Sequence, residues 1–386
     1  MEIKIKKTLV ALDLGNNQVK IRTKKTGLIV MPSALLEQKY GPTLYLGGEP
    51  DNVPSLYRLR LDKEEKSYYF GETLASWGKS NVNHWERSIG FKIRRYQGKT
   101  FQKIALFALA RVVKELETRN PIIDLVTGLP SKDYQDETKQ ILPALRKLFK
   151  GRHTIYVDDE PISFEIAEVK FYPQYVGTVV DNSYVWKDSS MTELNENFSK
   201  FANLRYGIMD IGGGTILSDI VDGLNFNLST AKPDSKNGAH RLFNHIIKEF
   251  SVSSSQVDMM LRNPNKDGKY ILNEKGMAPV DLTEKILEAK TLYTTKVAKE
   301  MEKTFFEEDL SAESDGINLD KIFLTGGGTH IIDFEQLKEE LQNSYVVPEQ
   351  FTEQQNFIEV LKHPETSNVE GYFKLGAVSR LGEFGI

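Results

Sequence analysis

The 386-residue sequence contains no cysteine. That excludes disulfide scaffolds, thiolate metal sites, iron–sulfur clusters and cysteine nucleophiles. Histidine is scarce, with six at positions 84, 153, 240, 245, 330 and 363. Only His240 and His245 are neighbours, and they read as surface or helix packing rather than as zinc ligands. No charge sign dominates: 50 Lys and Arg against 54 Asp and Glu leave a formal charge of -4. This argues against a surface coated with nucleic acid. Long apolar runs are missing too. The stretch Thr8–Leu12 stops at Asp13, short of the roughly 7–15 residues of a secretory core and the roughly 20 of a membrane span. Ile3 and Ile5 alternate with Lys4 and Lys6 in a strand-like period, unlike an amphipathic membrane helix. The expectation is a cytoplasmic chain that touches no membrane. What is present suits a folded protein of two domains: 40% hydrophobic and 27% charged residues.

Short β-branched runs that end at Gly, Asp or Pro predict strands at Leu9–Leu14, Ile122–Thr127, Thr154–Val157, Phe164–Phe171, Tyr206–Ile211, Ile216–Val221 and Lys321–Thr325. Helical spacing of Phe101, Ile104, Ala105, Ala108, Leu109, Val112 and Leu116 predicts a helix over Thr100–Thr118, and Leu282–Phe305 reads as another. Interleaved strands and helices define an α/β class. Thr26–Lys99 is richer in Gly, Pro, Tyr and charge and reads as an inserted subdomain. Asp181–Ala202 reads as an exposed polar excursion, and Pro233–Gly238 as a turn cluster that opens a second helical region.

One pattern occurs twice. Leu9-Val10-Ala11-Leu12 leads into Asp13-Leu14-Gly15-Asn16-Asn17, and Tyr206-Gly207-Ile208-Met209 leads into Asp210-Ile211-Gly212-Gly213-Gly214-Thr215. Each copy is a strand, an acid, an aliphatic residue, a glycine turn and a second strand. Such a tip can turn backbone N–H groups toward phosphate oxygens, because no Cβ blocks the approach. Its acid can face a divalent cation. Magnesium keeps most of its waters, so Asp13 and Asp210 would hold it largely through water. Lys20 lies just inside the second strand and could reach the phosphates as a point charge. A third cluster, Gly326-Gly327-Gly328, follows the strand Lys321–Thr325 and would let a nucleobase or α-phosphate approach closely. Neither the P-loop pattern nor a Gly-x-Gly-x-x-Gly after a strand accounts for these glycines.

ALDLGNNQVK, MDIGGGT and LTGGGTHII resemble the two phosphate motifs and the adenosine motif of the actin/sugar-kinase/heat-shock-chaperone superfamily, in the family's order. Phe171–Gly177 and Glu370–Gly376 resemble its two connecting segments. Thr127-Gly128-Leu129-Pro130 and the GYFKLG ending are similar to the plasmid-segregation actins of the ParM/StbA/Alp type. The resemblance implies an actin-like fold of two RNase-H-like domains, each with a smaller subdomain, around a nucleotide cleft. Domain I would hold residues 1–172 and 371–386, with 26–99 as its subdomain. Domain II would hold 173–370, with 233–317 as its subdomain.

The resemblance also implies ATP as cofactor, with GTP left open, and Mg²⁺ near Asp13 and Asp210. Gly15, Asn16, Asn17, Gly212, Gly213, Gly214 and Thr215 would donate to phosphates, with Lys20 adding charge, and Gly326, Gly327 and Gly328 would floor the adenosine pocket. Gln174 stands where the superfamily places a polar residue beside the attacking water. An amide is a poor general base, so Gln174 would orient that water and hydrolysis would be slow. Lys285, Glu288 and Lys296 are candidates for the ribose contact.

Implied partners are further copies of the chain, head-to-tail in a helical filament, and a DNA-binding adaptor of ParR type that carries DNA indirectly. Two charged stretches could serve subunit contacts: Arg87–Lys103, which has Arg87, Lys92, Arg94, Arg95, Lys99 and Lys103 with no acid between, and Ile331–Glu370, which has nine acids and two Lys. The alternatives are a sugar or acid kinase, for which no catalytic Asp motif stands out, and a cell-shape or phage-positioning actin homologue. A chaperone would need a substrate-binding domain that these residues do not include.

Overall fold

The computed structural model describes residues 7–41, 55–74, 84–116, 118–187, 192–195, 197–225, 232, 235–239, 246, 249–250, 257, 260–261, 264–272, 278–307 and 319–381. Contacts divide the chain into two compact units, 1–198 with 366–386 and 199–365.

The first unit is built on one ten-stranded sheet. Its strands are β1 (Thr8–Leu14), β2 (Gln18–Thr23), β3 (Gly27–Pro32), β4 (Ala34–Glu37), β5 (Leu56–Leu61), β6 (Tyr68–Gly71), β7 (Trp85–Arg87), β8 (Ile122–Leu129), β9 (Gly151–Val157) and β10 (Glu160–Pro173), in spatial order β3-β2-β1-β8-β10-β9-β5-β6-β4-β7. β1, β8 and β10 run parallel, and the remaining pairs are antiparallel. The parallel centre is covered on both faces, as parallel strands require. Val10 and Leu12 join the apolar cluster of the helix Lys99–Glu115. Leu9, one residue out of phase, meets Gly376 of the helix Ser367–Leu381.

That C-terminal helix packs on the helix Gln174–Ser183 at very short range. A Cβ on Gly371 would stand 1.8 Å from the Gly177 carbonyl oxygen, and one on Gly177 would stand 2.5 Å from that of Asn368. Thr178 donates to Asn368 Oδ1 at 2.6 Å, and the buried Lys374 ammonium donates to Asp181 Oδ1 and to the carbonyls of Asp181 and Tyr184. The contacts therefore group Gln174–Ser183 with the first unit.

The described strands of the Thr26–Lys99 stretch join the main sheet. β5 pairs with β9 through Leu59↔Val157, Arg60↔Tyr156 and Leu61↔Ile155, so β4–β7 extend the main sheet. Arg111 of the helix Lys99–Glu115 pins this extension by donating to both Glu72 carboxylate oxygens, at 3.2 and 2.8 Å. Lys103 does the same through Glu64 and the Tyr68 hydroxyl.

Asp181–Ala202 is less exposed than its polarity suggests. It holds a hairpin of β11 (Tyr184–Trp186) and β12 (Thr192–Leu194). Phe201, 1% exposed, meets Tyr206 edge-on and packs tilted against Phe323. A single phenylalanine in a polar run leaves no periodic signal.

The second unit has a four-stranded sheet in the order β14-β13-β17-β18. The strands are β13 (Arg205–Ile211), β14 (Ile216–Asp222), β17 (Lys321–Thr325) and β18 (Ile358–Val360), and a small pair, β15 (Ile271–Leu272) with β16 (Val280–Asp281), lies apart. β13, β17 and β18 are parallel, and β14 returns antiparallel. The helices Thr283–Glu302 and Phe334–Gln342 supply Ile286, Tyr293, Val297, Met301, Leu337 and Leu341 to its core. Most of the helical region expected after Gly238, including His240 and His245, lies outside the described residues.

Candidate functional site

In the first unit, β1 and β2 form the acid-tipped hairpin, and Gly15 makes the turn. A Cβ there would stand 2.8 Å from the Gln18 carbonyl oxygen. Asp13 lies opposite Lys20 in register, and the Lys20 ammonium donates to Asp13 Oδ2 at 3.2 Å. Both side chains are largely buried, so the strand register alone delivers the ion pair. Asn16 Oδ1 accepts from the Gly90 N–H at 3.1 Å, and the Asn17 carbonyl accepts from the Ser33 N–H at 2.8 Å.

Gln174 opens its helix directly after β10 ends at Pro173, and Pro173 pairs with Leu129 at the end of β8. Asp13, Leu129 and Gln174 thus stand at the carboxyl ends of three parallel strands. Open α/β sheets place ligands at such ends. Tyr372 donates to the Gln174 carbonyl at 3.3 Å, and Gly128 is the only residue type that fits beside that ring, since a Cβ would lie 1.8 Å from the hydroxyl.

In the second unit the structure brings two of the three glycine clusters together. The tip between β13 and β14 closes with the Gly212 N–H donating to the Thr215 carbonyl at 2.8 Å. Asp210, the last residue but one of β13, pairs with Thr325 of β17. The next residue, Gly326, has φ +87°, and a Cβ on it would stand 2.2 Å from Asp210 Oδ1. A Cβ on Gly328 would stand 2.4 Å from Ile211 Cγ2. The parallel pairing of β13 with β17 therefore sets Gly326–Gly328 against Asp210–Ile211.

Gly238 completes this cluster, and the sequence reading placed it only in a turn. A Cβ on it would lie 2.1 Å from the Thr215 nitrogen and 2.3 Å from the Gly214 carbonyl carbon. The Ala239 N–H donates to the Gly212 carbonyl, and Ser235 bridges to Ile216 in both directions. Asn237 carries the contact on to the long helix: its Nδ2 donates to Glu300 at 2.9 Å, and its carbonyl accepts from Tyr293 at 3.2 Å. Only the Lys-Asn-Gly run, a turn signal, marks this segment in the sequence. Among the ribose candidates, Lys285 pairs with Glu249 over the Phe250 ring, and Glu288 is exposed.

The basic stretch Arg87–Lys103 does not form one charged face. Lys103 is buried against Glu64 and Tyr68. Burial lowers the Arg87 pKa, and its guanidinium lies over Trp85. Arg95 turns inward to the first hairpin. Lys92, Arg94 and Lys99 are exposed. Among the described residues, no group of three or more His, Asp and Glu is arranged to hold a metal. A hard cation at either tip would have to complete its shell with phosphate oxygens and water, which is how Mg²⁺ prefers to bind. Asp13 and Asp210 fit that role.

Residues 11–177 match the family model of the actin-like proteins' N-terminal domain. Solved structures similar to the chain include the actin-like protein Alp7A (TM-score 0.73, 15% identity, 98% of each chain covered). A Bacillus thuringiensis ParM with AMPPNP has TM-score 0.63 at 14% identity, with 97% of this chain and 99% of that chain covered. A 15-stranded ParM filament from Clostridium botulinum has TM-score 0.64 at 19% identity, with 96% and 99% covered. No curated protein matches the sequence significantly. The chain has the actin-like fold. No helix among the described residues is long and apolar enough to cross a membrane.

Proposed function

We propose that the chain binds and slowly hydrolyses ATP, assembles head-to-tail into helical filaments, and through a DNA-binding adaptor moves plasmid DNA. The observation that carries this reading is the second tip: Asp210, the Gly212–Thr215 turn, Gly238 and Gly326–Gly328 pack so closely that any side chain at Gly238, Gly326 or Gly328 would collide with the backbone or with Asp210. Glycine here lets the turns close backbone to backbone, and turns of this kind can present main-chain N–H groups to an anion. The ParM with AMPPNP and the ParM filament share this fold and support the nucleotide and assembly parts of the reading.

In the proposed site Gly15, Asn16, Asn17, Gly212, Gly213, Gly214 and Thr215 donate to phosphate oxygens. Gly326, Gly327 and Gly328 lie under the adenosine. Asp13 and Asp210 hold the water shell of Mg²⁺, which when bound neutralises charge on the phosphates. Lys20, now paired with Asp13, adds a second cation. Gln174 aligns the attacking water without taking its proton, so turnover is slow. ATP promotes assembly to the extent that it binds the assembling conformation more tightly than the free one.

The test is calorimetry with ATP and Mg²⁺, together with sedimentation of the full chain with and without nucleotide. Binding and ATP-dependent pelleting are expected. Stoichiometric phosphorylation of a small alcohol without pelleting would instead identify a kinase of the same superfamily.

A further inference from the structure

Arg95 is the one member of the basic stretch that reaches the first hairpin. Its Nη2 donates to the Leu14 carbonyl at 2.6 Å, one residue past Asp13 and one before the Gly15 turn. The guanidinium lies 5.2 Å from the Phe101 ring centroid and 5.7 Å from that of Tyr96. Tyr96 is itself fixed, donating at 2.6 Å to Asp133, which also accepts from the Lys92 N–H. A buried carboxylate thus holds Tyr96, and Tyr96 and Phe101 flank Arg95. Arg95 Nε is buried and makes no hydrogen bond.

Two physical consequences follow. A charge-assisted hydrogen bond to the last carbonyl of β1 fixes the peptide that orients the turn's N–H groups. Arginine also stays protonated at any working pH. The Lys20 ammonium is taken up by Asp13, and Arg95 adds a second positive charge beside this tip.

We propose that Arg95 is a positioning residue for the phosphates. It acts through the Leu14 carbonyl and through its charge, and it favours the phosphorylated ligand over the bare nucleoside. This rests on the proposed ATP site. It also removes Arg95 from the subunit-contact surface and leaves Arg94 there.

The experiment is calorimetric titration of the wild-type chain, Arg95→Met and Arg95→Lys with ATP–Mg²⁺ and with adenosine, alongside thermal melts. Arg95→Met is expected to bind ATP about tenfold more weakly, the scale of one charge-assisted hydrogen bond, and adenosine within twofold of wild type. Arg95→Lys keeps the charge but loses the planar fork, and is expected to lose about threefold for ATP. Equal losses for ATP and adenosine would mark general damage to the fold and overturn the proposal, as would wild-type ATP affinity in Arg95→Met. Should Arg95→Met fail to fold, wild-type ATP affinity in Arg95→Lys overturns it in the same way. A wild-type chain that binds no ATP would remove the nucleotide site itself, a result distinct from failure of the Arg95 role.

Discussion

Single residues at the two tips carry the sharpest consequences. Gly326 combines a positive φ with contact to Asp210, so Gly326→Ala adds backbone strain and pushes on the acid at once. We expect a stability loss of about 1–3 kcal/mol from overpacking, read as a lowered melting temperature, together with weaker ATP binding. Gly371→Ala differs in kind. Its Cβ would meet the Gly177 carbonyl between two helices, so it should lower the melting temperature by a similar amount, and any ATP affinity that the folded fraction shows should be normal. Asp210→Ala is expected to cut ATP hydrolysis at least tenfold while leaving the fold intact, and phosphate-release assays at unchanged turnover would count against its metal role. Asp13 and Asp210 could be picked out from sequence because each follows a run of buried aliphatics and precedes glycine. Gly238 and Arg95 could not, because what makes them matter is a neighbour distant in the chain: Gly214 for one and Leu14 for the other.

At the scale of elements, Lys321–Thr325 was legible to the residue, and the β1–β2 and β13–β14 hairpins nearly so, since short β-branched runs with glycine ends have few other readings. The continuity of β5 with β9 was not. Edge pairing depends on which strand arrives alongside, and neither Leu56–Leu61 nor Gly151–Val157 encodes its partner. The β9–β10 hairpin also carries a titratable group. His153 stacks on Phe164 at 5.3 Å, with Nε2 at 2.6 Å from the Phe149 carbonyl oxygen. Burial lowers its pKa below the ordinary value, and the Phe149 carbonyl offsets this only in part. A depressed folded pKa means that the unfolded chain takes up the proton first. The contribution of His153 is therefore complete above the unfolded pKa of about 6.5 and is lost as pH falls toward the folded value. Melting curves from pH 7.5 to 5.5 should show His153→Phe losing less stability than wild type, and parallel curves would refute the assignment.

Along the chain, one contiguous unit, 199–365, interrupts a discontinuous one, 1–198 with 366–386. Nucleotide binding should raise the melting temperature with the logarithm of the ligand's excess over its dissociation constant, and a scan at several ATP concentrations checks this. Pelleting of Arg94→Glu should be weaker than wild type at equal ATP affinity if the exposed part of the basic stretch joins subunits, and unchanged pelleting would exclude it. The helix Ser367–Leu381, which lies against β1 and the helix Gln174–Ser183, bears on how the two units form. Residues 199–365 are one contiguous stretch, whereas the ten-stranded sheet keeps one face uncovered until its closing helix arrives from beyond that stretch. A chain truncated after residue 365 should accordingly show protease resistance in 199–365 and sensitivity in 1–198.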